Sequence, residues 1–586
     1  MEVKTVQIDP STMKEVFAKV KSELFFPPLQ FKLNDKLNIP VKVLNGELNV
    51  NPVLLSKSKD PYRLLLWLLR HTLAHMHYCP YDAKTAYYLQ KIAYSILRDS
   101  RLAYTAVAMF SDFQVDCIYL KNRYDETPYH LRDNLSRCKP VGLEQLIFAV
   151  YREFYPDLIY KPVDDEVEIL GRLLADSIKP PKSWVSKIKA ISAVLLRAEM
   201  QENKRTLKKP SNDRLGLRYI PLIEDAYPDS VKRISQVLSN IENERDAKTF
   251  YEVWIKPRMG EEDVKKISDK IRDALRKSEE AEHIYTSKEP GKAYKAAAGR
   301  GHGKFTLPTS IGKLLEKIPL DIKDLLWRRL WYRARAENIL ITYLASRGEV
   351  KPTWTIQSYP EEWYVEDDIE SLDIEASLDE GPMIPEVTTV KWHMRAAGRG
   401  GELHTNIIPS VLVVLDTSYS MSNILDKVSI AGFIAYLSAK WAGGNTAVVN
   451  FSTNHVVADW SVDDDFKELV LSSKFRELTI MPTKTIGKLL NMAREQCFVV
   501  VITDGGWQNF KEALEDLKAF GNRGHRISVF YIKDWDYPEE VKALVKAPYI
   551  NVYPVNDPVR DLEGLILSEV TSIYAENIRP LIQSSY

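Results

Sequence analysis

The chain has 586 residues, length enough for about three domains. Hydrophobic residues make up 45% and charged residues 27%, the balance of a globular rather than a disordered protein. The 80 Lys and Arg residues match the 80 Asp and Glu residues, so there is no net charge to support a general role on nucleic acid or at a membrane surface. Four cysteines, Cys79, Cys117, Cys138 and Cys497, show no Cys-x-x-Cys spacing and read as reduced thiols of a cytoplasmic protein. The opening MEVKTVQIDP does not read as a secretory leader, and no run of ~18 apolar residues predicts a membrane span.

Residues 1–130 read as an α+β region. Met13–Leu24 is a short helix, and Val41–Val50 alternates around Asn45-Gly46, the pair that favours a tight I′ hairpin. Asn51-Pro52 starts a helix. Pro61–Tyr78 is a strongly apolar helix in which His71 and His75, four apart, share one face while His77 points elsewhere. A second helix, Ala103–Leu120, carries Asp112 and Asp116 on one face. Two readings stand: histidines bonded to polar neighbours in a half-buried helix, or two imidazoles at metal-ligand spacing with Asp112 as a third ligand. A hairpin leading into His71-Thr72-Leu73-Ala74-His75 resembles a zincin-type metallopeptidase, and the added aspartate resembles the metallopeptidase-like proteins associated with von Willebrand domains. The resemblance implies Zn²⁺ at His71, His75 and Asp112. Thr72 stands where that family has its catalytic glutamate, which leaves zinc-bound water without a proton acceptor and points to a remnant site more than to an enzyme.

Residues 131–350 read as mainly helical. Val141–Tyr155, Asp165–Ser177, Trp184–Gln201 and Ser230–Glu244 place apolar residues three and four apart. Glu261–Glu282 is a highly charged, solvated helix. Lys292–Phe305 is a basic, glycine-rich linker; its Gly299–Lys304 run is too short for a phosphate loop and Phe305 replaces the hydroxyl that would hold Mg²⁺. Leu315–Ala345 contains a long amphipathic helix with Trp327, Trp331 and several arginines. Residues 351–404 form an extended acidic strap and hinge: Trp354, Trp363 and Tyr364, then Ile and Leu alternating with Asp and Glu, then Gly381–Thr389 and a Gly/Arg hinge at Ala397–Gly401.

Residues 405–586 alternate strand and helix. Strands 411–415, 446–451, 455–460, 497–503, 526–532 and 550–553 intervene between helices 424–441, 466–474, 485–494, 508–519, 538–546 and 557–575, the pattern of a doubly wound, mostly parallel sheet. Asp416, Ser418 and Ser420 follow the first strand directly, where open α/β sheets bind ligands. Asp504 follows the strand 497–503, and Thr483 and Thr485 precede a helix. Hard oxygens in this number suit Mg²⁺ or Mn²⁺.

Asp-x-Ser-x-Ser, then Thr, then Thr-Asp-Gly, in that order, resembles the metal-ion-dependent adhesion site of a von Willebrand factor A domain. The resemblance implies that Asp416, Ser418, Ser420, Thr485 and Asp504 hold the ion, some through water. The family's small glycines before the threonine are absent; Thr483 and Lys484 stand there. The order Trp, acidic run, Ile-Pro-x-Val-Thr-Thr upstream resembles the MoxR-associated von Willebrand A group. It implies a cytoplasmic adaptor whose metal site grips an acidic residue of a partner, with a hexameric MoxR-type AAA+ ATPase as that partner, in chaperone or metal-cofactor insertion activity. The alternative is a zinc metallopeptidase, or its remnant, fused to a recognition domain.

Overall fold

The computed structural model describes residues 8–24, 29–137, 139–160, 165–202, 219–259, 322–346, 355–364, 367, 372–373, 377, 384, 389–396, 408–453, 455–474, 478–493, 495–532, 538–547 and 549–583. The charged helix expected over 261–282, the linker over 292–305, the hinge at 397–401 and Cys138 lie outside these residues. The chain divides into two compact units, one of Met1–Arg335 with Val462–Ser473, the other of Ala336–Ser461 with Lys474–Tyr586. No described helix is long and apolar enough to cross a membrane.

In the first unit, strands β1 (Gln30–Leu33), β2 (Val41–Leu44) and β3 (Glu47–Val50) form a sheet in the order β1-β3-β2, with β2 antiparallel and β1 parallel to β3. Asn45 (φ 50°) and Gly46 (φ 77°) both take the left-handed conformation, as a type I′ turn requires. Helix Pro61–His77 starts on Pro61, with the Asp60 carboxylate accepting from the Arg63 N–H at 3.0 Å. Its Leu65, Leu69, Leu73 and Met76 pack in one core with Met13, Val16 and Val20 of helix Pro10–Leu24 and with Val43 and Leu48 of the sheet. The opposite stripe, Trp67 and Ala74, packs on Val115 and Leu120. That second contact decides where the histidines go. They lie on the stripe facing the helix Ser100–Asp112 and its continuation Phe113–Leu120, which is wound as a π-helix. Such wide turns often mark functional sites.

Helices Leu143–Phe154, Asp165–Ile178 and Trp184–Glu202 follow as the periodicity predicts. The single helix expected over 230–244 is instead two pieces, Ser230–Ser235 and a 3₁₀ turn Gln236–Asn240, and a further helix, Glu244–Phe250, begins where it was expected to end. Asn243 is the reason for the last break: its side chain accepts from the Asp246 N–H at 2.8 Å and starts a new helix rather than continuing the old one. Helix Asp464–Ser472 belongs to this first unit, where its fully buried Glu468 accepts from Arg329 (2.7 Å) and Arg333 (2.8 Å).

The second unit holds a small antiparallel sheet of β4 (Thr355–Glu362), β5 (Leu372–Asp373) and β6 (Val390–Ala396) in the order β4-β6-β5, so the described part of the expected strap pairs with itself. Its main sheet contains β7 (Ser410–Asp416), β8 (Thr446–Phe451), β9 (His455–Ala458), β10 (Cys497–Thr503), β11 (Arg526–Ile532) and β12 (Ile550–Val555), ordered β12-β11-β10-β7-β8-β9. All pairs are parallel except β8–β9. Every residue of β7, β8 and β10 is buried, as parallel strands covered on both faces must be. From β7 the chain goes first to β8 on one side and later to β10 on the other. The gap between the tips of β7 and β10 is therefore the switch point at which such sheets bind ligands.

Candidate metal centres

Register fixes the first centre. Leu415 pairs with Ile502, so Asp416 ends β7 beside Thr503, the last residue of β10, and Asp504 follows at once. Asp416 and Asp504 are 0% and 4% exposed, and among the described residues neither forms an ion pair with lysine or arginine. Asp416 Oδ1 accepts from the Ser418 N–H (3.0 Å) and Oδ2 from the Thr503 hydroxyl (2.7 Å). That hydroxyl in turn accepts from the Gly505 N–H (3.0 Å) and the Trp507 indole (2.9 Å). Ser418 Oγ and Ser420 Oγ lie 3.1 Å apart. Burial, then the charge of Asp504, pushes Asp416 up to about 7 despite these hydrogen bonds. Two carboxylates desolvated together with neutral donors only are a pair short of positive charge, and a divalent cation fits that deficit.

The structure thus brings Asp416, Ser418, Ser420 and Asp504 to one pair of strand tips. Thr485 lies at the start of helix Thr483–Met492, but its hydroxyl bonds His455 Nε2 at 3.0 Å. The neighbouring Thr483 hydroxyl donates to Asp516 at 2.5 Å. Lys484 between them is exposed. Burial and the nearby Lys488 charge push His455 down to about 4, so it stands neutral beside Thr485. The Thr503–Trp507 support of Asp416 is not legible in the sequence. Its only mark there is a hydroxyl at the end of an otherwise apolar strand, which many strands carry for other reasons.

The second centre lies in the first unit. His71 Nε2 and His75 Nε2 are 3.1 Å apart, and Asp112 Oδ1 is 3.2 Å from His75 Nε2 and 3.7 Å from His71 Nε2. One oxygen and two nitrogens within 4.8 Å of each other form a set able to hold an ion. Two nitrogens bound tetrahedrally to one zinc at about 2.0–2.1 Å would sit roughly 3.3 Å apart, so the spacing fits. His75 is 1% exposed, while His71 and Asp112 are about a fifth and a quarter exposed, leaving one side open. Thr72 is buried, and its hydroxyl is no substitute for a carboxylate base. His77 is separate, bonded to the Leu73 carbonyl and the Tyr119 hydroxyl.

Asp116, which the sequence marks only as a face-mate of Asp112, is fully buried beneath His71. It accepts from His71 Nδ1 (2.9 Å), His130 Nε2 (3.3 Å) and the Tyr151 hydroxyl (3.0 Å). Burial would raise its pKa, but the charges and hydrogen bonds of His71 and His130 hold it far below the usual carboxylate range. Burial likewise would lower His71, yet Asp116 and Asp112 hold it up to about 9. His75 is pushed down by burial and by the His71 charge. Sequence spacing brings out partners four apart on one helix. His130 and Tyr151 come from other helices and cannot be seen that way.

No family model and no curated protein matches the chain. Among solved structures it is similar to the pilus adhesin SpaC of Lactobacillus rhamnosus GG, at 14% identity over 28% of this chain and 30% of that one, with TM-score 0.25. It is similar to a von Willebrand factor type A protein of Catenulispora acidiphila, at 17% identity over 32% of this chain and 45% of that one, with TM-score 0.22. It is also similar to the manganese-loaded TRAP protein of Plasmodium vivax, at 14% identity over 29% and 74%, with TM-score 0.22. The chain spans less than half the length of the first two of these proteins.

Proposed function

We propose that this chain is a metal-dependent protein-binding adaptor. Its second unit holds Mg²⁺ or Mn²⁺ at Asp416, Ser418, Ser420 and Asp504 and grips an acidic residue of a partner through the ion. The observation that carries the reading is the buried pair Asp416 and Asp504, with no lysine or arginine ion pair among the described residues, at the switch point of the sheet. When bound, the ion supplies a partly positive centre with a coordination position for an outside carboxylate. The protein's own part is positional: Thr503 and the Ser418 N–H fix the Asp416 oxygens, and the Ser418 and Ser420 hydroxyls stand as further oxygen donors. Thr485 can join them while donating its hydroxyl hydrogen to the neutral His455, since its oxygen lone pairs stay available. The partner suggested by the upstream sequence order is a MoxR-type AAA+ ATPase, in the cytoplasm. In a pull-down with such an ATPase, EDTA should weaken binding roughly five- to 150-fold, the range of ordinary coupling energies of about 1–3 kcal/mol. Asp416→Ala should do the same, and the two losses should not add, because both remove one interaction. Binding at full strength in both would make the metal centre irrelevant to the partner.

The convergence of His71, His75 and Asp112 favours a second reading beside the first: Zn²⁺ in the first unit, with Thr72 leaving it structural or ligand-binding rather than hydrolytic. Elemental analysis should find close to one zinc per chain, and His75→Ala should lose it. Zinc-free wild-type protein after growth in zinc would return the two histidines to plain packing.

A further inference from the structure

Building on the zinc reading, we infer that Asp116 is the positioning residue of that centre, and that the second cluster it forms with His71 and His130 is the outer support of a one-ion site rather than a second metal site. A neutral imidazole has one donor and one acceptor nitrogen. The ionised Asp116 carboxylate can only accept, so at 2.9 Å it requires the hydrogen of His71 on Nδ1. That leaves Nε2 directed to the side of His75 Nε2 and Asp112. The Cys79 carbonyl imposes the same choice on His75, whose Nδ1 lies 3.1 Å away. Both imidazoles are thus anchored through Nδ1, so the nitrogen each ring would give a shared ion is Nε2, after the ion displaces the hydrogen there. Asp116 itself cannot drift. Its other oxygen accepts from Tyr151 and His130, and the Tyr155 hydroxyl donates to its backbone carbonyl at 2.5 Å.

His71, Asp116 and His130 also lie close enough to suggest an ion of their own. A metal there would have to displace the N–H and O–H donors that already occupy both Asp116 oxygens. It would also strip the last hydrogen from His71, making that ring a bridging imidazolate. The buried Tyr151, packed against Phe113 with ring centroids 5.6 Å apart, would lose the acceptor that its hydroxyl uses. Both Asp116 oxygens and His71 Nδ1 are thus satisfied without a second ion, and the one buried nitrogen of this cluster left without a partner, His130 Nδ1, is on the ring edge away from the Asp116 bond.

The test uses the full chain carrying Asp416→Ala, so that the other centre is silent, stripped with a chelator and titrated with Zn²⁺ against a chromophoric competitor. One ion per chain should bind. Adding Asp116→Asn should weaken it ten- to hundredfold, as loss of outer-shell partners does, and should shift the absorption bands of the Co²⁺-substituted protein. His130→Gln should keep one ion and stay within about threefold. Nitrogen NMR of histidine-labelled, zinc-loaded protein reports on the intact site even where Asp116→Asn fails to fold: it should show His71 coordinated through Nε2 with a hydrogen on Nδ1. Two ions per chain, Nδ1 coordination, or unchanged affinity in Asp116→Asn would each overturn the assignment of Asp116 while leaving zinc binding intact. No ion bound at all would remove the zinc reading and this inference with it.

Discussion

Asp416 puts a carboxylate where water does not reach, and its protonation behaves accordingly. Burial and Asp504 raise it from the ordinary 3.8 to about 7. A carboxyl that holds its proton more tightly folded than unfolded stabilises the fold at low pH, and that contribution is lost as pH climbs from near 4 through 7. In EDTA, wild-type protein should therefore lose about 2–3 kcal/mol of stability between pH 5 and pH 8 relative to Asp416→Asn, since each tenfold gain in proton affinity on folding corresponds to about 1.4 kcal/mol. Urea unfolding at the two pH values measures it, and millimolar Mg²⁺ at pH 8 should restore the loss in the wild type alone. Equal pH dependence in the two proteins would mean the acid pair is relieved some other way.

At the level of elements, the parallel sheet was the most legible part of the sequence. Strands 446–451, 497–503 and 526–532 have the expected bounds, because strands covered on both faces are rich in apolar residues; Asn450 and Ser528 are the polar interruptions inside them, and Thr446, Thr503 and Arg526 stand at their ends. The hairpin at Asn45-Gly46 was equally plain, since its left-handed turn admits few residue pairs. Helix ends in the first unit were harder: Asn243 looks like any polar helical residue until its side chain is seen capping a new start. The metal residues divide the same way. Asp416 and Asp504 follow directly from strand ends, whereas the direction of the Thr485 hydroxyl depends on His455, thirty residues earlier on another strand. The loop after β10 carries its own constraint. Gly505 takes φ +79°, and a Cβ there would lie 2.7 Å from the buried Tyr531 ring. Gly505→Ala should cost roughly 1–3 kcal/mol from backbone strain and crowding and, by moving Asp504, weaken Mg²⁺. Calorimetric titration and a melting curve would check both, and an unshifted melting temperature would show that Tyr531 gives way.

The two centres belong to different units, so their losses should be independent. Asp416→Ala should leave zinc content unchanged, and His75→Ala should leave Mg²⁺ affinity unchanged; metal analysis of each variant decides it. The first unit also depends on a buried charge cluster. Glu468→Ala should cost about 2 kcal/mol, because Arg329 and Arg333 each lose a charged, fully buried acceptor while Arg329 keeps Asp465. Glu468 comes from a stretch read in sequence between two elements of the other unit. Neither unit is therefore a continuous length of chain: no single protease cut and no single stop codon can release one of them whole. A fragment ending near residue 335 would lack the Glu468 acceptor of Arg329 and Arg333, and one beginning at 336 would carry Glu468 without these two arginines.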